Sequence, residues 1–150
     1  MGIKQLWRGD GGWSLVELTI TLTLAGLITA LALPAFVQWG DRQEREGFLG
    51  LLAEDIRLAQ RKAQIGEVDV YLKVNREGSS YAVYQGKQRL SRGTAPAGTR
   101  LTSNFPSGQL VFRPSGQSRG GTFQLMQGKE IVGRVVVQVA SGRPRVEVQP

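Results

Sequence analysis

Gly12-Trp13-Ser14-Leu15-Val16-Glu17-Leu18 opens an apolar run that continues through Leu33-Pro34 to Gly40. From Leu18 to Gly40 there is no charged residue. As a helix rising ~1.5 Å per residue, that stretch reaches about 34 Å, enough to cross a hydrocarbon core of about 30 Å. Glu17 stands at its edge, and a carboxylate there is costly unless it has a partner. Residues 1–12 carry Lys4 and Arg8 and end in Gly9-Asp10-Gly11-Gly12, so the small residues precede the apolar run. A secretory signal peptide has the opposite order, with its cleavage site after the apolar region. The apolar segment is therefore expected to be retained. The basic residues on its short N-terminal side predict an N-in, C-out orientation.

Two features set this segment apart from a plain lipid-facing anchor. Thr19, Thr21, Thr23 and Thr29 are polar, and Ala25, Gly26, Ala30 and Ala32 are small. Such residues suit close helix–helix approach, although the hydroxyls can equally bond back to their own helix. Pro34 lacks a donor and clashes with the preceding turn, which predicts a kink or local melting.

Beyond it, Leu49, Leu52, Ile56, Ala59 and Ala63 recur at helical spacing, with Leu51, Leu58 and Ile65 broadening the stripe. The charged residues between them, Glu54 and Asp55 included, are assigned to a solvated face. Gly66 is the expected C-cap. The period then changes to two: Val68, Val70, Leu72 and Val74 alternate with polar residues. Shorter strands follow at Tyr81 and Val83, around Leu90, at 99–102, at Leu110 and Phe112, and at Phe123 and Leu125. Val135, Val137 and Val139 suggest the longest strand, and 143–148 the last. Residues 91–107 otherwise read as loop. The fold class is α+β: a long N-terminal helix packed on an antiparallel sheet.

Composition narrows the chemistry. The 150 residues contain no Cys and no His, which removes disulfides, thiol chemistry and any imidazole-dependent step. Glu54 and Asp55 are adjacent on a helix and do not face each other across a cleft. No serine has a base, and no glycine-rich stretch carries a phosphate-loop lysine. The expectation is a non-enzyme with no cofactor and no metal. The net charge of +7 is uneven: residues 78–150 hold ten Lys/Arg but only two acids, Glu130 and Glu147. That points to a polyanionic or acidic partner, or to an ordinary solvated surface.

The placement of Gly12, Trp13, Glu17, the apolar run and Pro34 resembles the N-terminal signature of type IV prepilins and type II secretion pseudopilins. The resemblance implies that prepilin peptidase cuts between Gly12 and Trp13 and that Trp13 is N-methylated. Trp13 departs from the usual Phe but keeps the large aromatic. Glu17 becomes the fifth mature residue, able to pair with the N-terminal ammonium of a neighbouring subunit, and its desolvation is then offset. Pro34 is the helix proline. The implied layout is a leader at 1–12, a transmembrane and fibre-core helix at 13–39, its amphipathic continuation at 40–66, and a sheet domain at 67–150. Residues 52–60, 110–116, 121–123 and 135–146 further resemble GspH/FimT-type minor pilins. The implied partners are the peptidase, other pilins or pseudopilins, and the cytoplasmic membrane. The implied destination is an extracytoplasmic pilus or pseudopilus, in which the chain is a structural or initiating subunit.

An alternative assigns the chain to a DNA-uptake pilus. Gly142-Arg143-Pro144-Arg145 resembles a motif linked to DNA binding in FimT-like pilins. On a strand Arg143, Arg145 and Glu147 would share a face, with the two guanidiniums about 6.6–6.8 Å apart, suited to backbone phosphates. Arg134 and Arg119 would extend the patch. The same residues also suit a turn and a charged edge that discourages aggregation. Tyr71, Tyr81 and Tyr84 offer either a stacking surface or sheet packing.

Overall fold

The computed structural model describes residues 14–139 and 141–149. One helix, α1 (Leu15–Gly66), precedes eight strands: β1 (Val70–Val74), β2 (Ser80–Gln85), β3 (Gln88–Thr94), β4 (Thr99–Ser103), β5 (Gln109–Phe112), β6 (Gly121–Gln127), β7 (Glu130–Val137) and β8 (Pro144–Val148). The chain divides after Gly40 into two compact units.

In the first unit α1 is apolar on every side. Its large side chains from Leu15 to Trp39 are all exposed, and it contains a window long and apolar enough to cross a membrane. Ser14 Oγ accepts from the Glu17 backbone N–H at 3.1 Å and so caps the helix. The threonine question resolves toward the helix itself. Thr19, Thr21, Thr23 and Thr29 each donate to a carbonyl three or four residues earlier, at 2.7–2.9 Å. Helix runs uninterrupted through Pro34, so the expected melting does not occur.

In the second unit the strands form two four-stranded antiparallel sheets, not one. Their orders are β3-β2-β1-β5 and β4-β6-β7-β8. Phe48, Leu49, Leu52, Ile56, Ala59 and Ala63 present the buried stripe of α1, and Leu72, Val83, Leu110, Phe123, Leu125 and Val135 close the core. Each large apolar side chain buried this way contributes about 1.5–3 kcal/mol.

Several local expectations change. Leu51 and Ile65 face solvent and lie outside the stripe, as does Val68 ahead of β1. Asp55 is buried, not solvated. At the helix end it is Glu67, at φ 51°, that takes the left-handed conformation, one residue beyond the expected Gly66. Residues 91–94 belong to β3. This edge strand is mostly polar, so no apolar alternation announces it. It needs Gly93, where a Cβ would sit 2.3 Å from the Tyr81 ring. Val139 falls beyond β7 and is exposed.

Candidate functional site

Three places bear on function. The first is the start of α1. Glu17 is exposed in the first helical turn, where its charge complements the helix dipole. With Ser14 as N-cap it stands at the third helical position, the S-x-x-E spacing of a capping box. Among the described residues Glu17 has no ion-pair partner. The expected cleavage and methylation positions, Gly12 and Trp13, lie outside the described residues.

The second place is the end of the sheet formed by β4, β6, β7 and β8. Pairing sets Arg134 opposite Glu147 and Val136 opposite Arg145. Arg134 Nε lies 2.6 Å and Arg145 Nε 3.5 Å from the Glu147 carboxylate, so one acid serves two cations. Arg143 stands one residue ahead of β8, with its carbonyl accepting from the Gln138 N–H at 3.1 Å, and Arg143 and Arg145 are both exposed on either side of the buried Pro144. Val146 is exposed, while Val148 packs against the core. Gly142 has a structural duty: at φ 63° it sits where a Cβ would meet the Phe112 ring at 2.7 Å. Gln60 Nε2 donates to Ser141 O at 2.7 Å and to Gly116 O at 2.8 Å, fixing this turn and the 113–118 loop to α1. Arg119 is flanked by Ser118 and Gly120, which lie against Gly142 and Val139. It lines an open groove of about 540 Å³ with Arg113, Asp69 and Val111. No hydrogen bond or ion pair among the described residues joins it to Arg134, Arg143 or Arg145.

The third place is a buried polar cluster that sequence reasoning missed. Tyr81 Oη and Ser91 Oγ both donate to Asp55 Oδ2, at 2.8 and 2.9 Å. Burial, then the hydrogen bond to Asp55 and its negative charge, pushes the Tyr81 phenol well above its usual range. The cluster joins α1 to β2 and β3 and is sealed by Phe48 edge-on to Tyr81. Its only sequence signal is an acid placed between Leu52 and Ile56 on the apolar stripe. Among the described residues no three His, Cys, Asp or Glu side chains converge as a metal site would need.

One long helix packed on two antiparallel sheets defines an α+β pilin fold. The sequence matches the family described as type II transport protein GspH over residues 50–142, and the chain belongs to that family. Solved structures share the fold. The minor pseudopilin EpsH from the type II secretion system of Vibrio cholerae superposes with a TM-score of 0.61 at 17% identity, covering 73% of this chain and 96% of that one. The type IV minor pilin FimU of Pseudomonas aeruginosa gives 0.57 at 14% identity, covering 75% and 92%. E. coli GspH gives 0.57 at 12%, covering 71% and 89%. No curated protein matches the sequence.

Proposed function

We propose that the chain is a minor pilin or pseudopilin subunit, structural and not catalytic. It is made as a precursor, held N-in across the cytoplasmic membrane by residues 13–39, cut between Gly12 and Trp13 by prepilin peptidase, and methylated at Trp13. The helix then leaves the bilayer to pack against other pilin helices, with Glu17 paired to the terminal ammonium of a neighbour. One observation carries this reading. The first unit of α1 exposes its apolar side chains all round, and its threonine hydroxyls are already satisfied within the helix. Such a surface suits lipid before assembly and other helices afterwards. Cleavage would also leave the capping Ser14 as the second residue, so the helix would start immediately behind the new terminus.

The intact mass of membrane-extracted protein tests the proposal. Loss of residues 1–12 with gain of one methyl group is expected. An uncut precursor in cells that hold an active prepilin peptidase would overturn it. The DNA-uptake alternative at the C-terminal end would rest on Arg143 and Arg145, with Arg134 and Arg119 extending the patch, and the single charge of Glu147 offsets only part of that cluster.

A further inference from the structure

The β3-β2-β1-β5 sheet turns Val70, Leu72, Tyr81 and Val83 inward. Its other face is ordered in two cross-strand rows. Gln109, Lys73, Ala82 and Arg92 lie opposite one another in the first, and Val111, Tyr71, Tyr84 and Arg89 in the second. Ala82 is the smallest of these side chains. Around it the surface dips into an open groove of about 290 Å³, lined by Lys73, Asn75, Ala82, Tyr84, Arg89 and Arg92. Three cations and no carboxylate border the groove. None of the three forms an ion pair among the described residues. This differs from the β7–β8 face, where an acid sits between the arginines.

The aromatic wall is pre-ordered. The Tyr71 ring stacks against Tyr84 at 5.3 Å between centroids and 20° between planes. The Tyr71 hydroxyl donates to Gly86 O at 3.2 Å. A ligand that stacks on Tyr84 therefore spends little ordering the side chain beneath it. Strands ~4.8 Å apart place Lys73 and Arg92, two strands from each other, about 10 Å apart across the groove.

We propose that this face binds single-stranded nucleic acid, with a base stacked on Tyr84 and adjoining phosphates held by Lys73, Arg89 and Arg92. Cations beside a flat ring match a chain of phosphates with unpaired bases. A duplex hides its base faces, and an acidic peptide would leave the tyrosine unused. The site is independent of the subunit reading above.

The test uses full-length protein in uncharged detergent, with fluorescence anisotropy of a short labelled oligothymidylate at several salt concentrations. Binding is expected to weaken as salt rises. Lys73→Gln, Arg89→Gln and Arg92→Gln together should lower the slope of log affinity against log salt by about 2, at about 0.7 per single-strand phosphate contact. Tyr84→Leu should weaken the oligonucleotide about tenfold, as expected for losing one stacked base, and leave inorganic polyphosphate binding unchanged. Arg143→Ala with Arg145→Ala should change little. The proposal is overturned by an absence of salt-sensitive binding to the wild type. It is equally overturned if the triple variant, melting like the wild type, binds unchanged, or if the Tyr84→Leu variant does. Loss of binding only in the Arg143/Arg145 variant would move the site to the C-terminal end. Intact mass on the same samples reports processing separately, so a failed site and a failed subunit reading are told apart.

Discussion

Glu17 and Asp55 are two carboxylates on one helix, and they are housed in opposite ways. Asp55 is buried and accepts hydrogen bonds from Tyr81 and Ser91. Glu17 is exposed, and the apolar side chains around it are exposed too. The half of α1 that carries Asp55 completes its packing within the chain. The half that carries Glu17 has its apolar surface still to bury. Amphipathicity tracks this difference: the second half shows one buried stripe, whereas the first is apolar all round and so needs neighbours on every side.

Substitutions can widen or collapse the contrast. The largest effect is expected in the stripe. Leu52→Ala, at a fully buried position, should destabilise the sheet domain by about 2–5 kcal/mol. Leu24→Ala, at an exposed position, should shift its chemical denaturation by no more than about 0.5 kcal/mol. A comparable loss for both would erase the division between the halves. The buried acid follows with an effect of comparable size. Asp55→Ala orphans the two hydroxyls, at about 1–3 kcal/mol each, measured by the same denaturation.

Tyr81→Phe should cost somewhat less, about 1.5–3 kcal/mol for a hydrogen bond to a charged group. It also carries a pH signature. The folded-state phenol titrates above its unfolded value of about 10, so its contribution is complete below that pH and declines as pH rises past it. Wild-type stability should fall between about pH 10 and 12, and Tyr81→Phe should make that fall shallower. An equal slope in both proteins would remove the phenol from the account. The smallest expected effect on domain stability is that of Glu17→Gln, within about 0.5 kcal/mol. Under the proposed assembly role, the same substitution should nonetheless abolish incorporation into fibres, measured as the share of processed protein in sheared filaments.

Much of the fold was legible because its signals are local. The spacing of Leu49, Leu52, Ile56, Ala59 and Ala63 marked the buried helix stripe, and Val70 with Leu72 marked the inward face of β1. The partition into two sheets was not legible, because β1 pairs with β5 across the intervening strands. Leu90 signalled a short strand, but the polar residues 91–94 gave no sign that it continues as an edge strand held by pairing and by Gly93 beneath the Tyr81 ring. Asp55 was misplaced because a charge implies solvent unless its donors are known, and Tyr81 and Ser91 are distant in sequence. Ser14 could have been found, since S-x-x-E before an apolar run is itself a cap signal. At the C-terminal end, Glu147 was placed beside Arg145, but its link to Arg134 required the β7–β8 register. Lys73, Arg89 and Arg92 were not gathered at all, because three strands bring them together.

The strands are also interlaced between the sheets. β4 joins the second sheet before β5 returns to complete the first. A chain emerging from its N-terminal end cannot finish one sheet and then begin the other. When β4 appears, the first sheet still lacks an edge, and β4 itself must wait for β6. Folding is therefore deferred until most of the domain is available, and the two sheets should melt in a single transition. A cut in the β4–β5 connection would not release two smaller stable pieces. Under the proposed assembly role, in which the helix leaves a membrane, that all-or-none behaviour would keep the sheet domain intact while the helix changes surroundings.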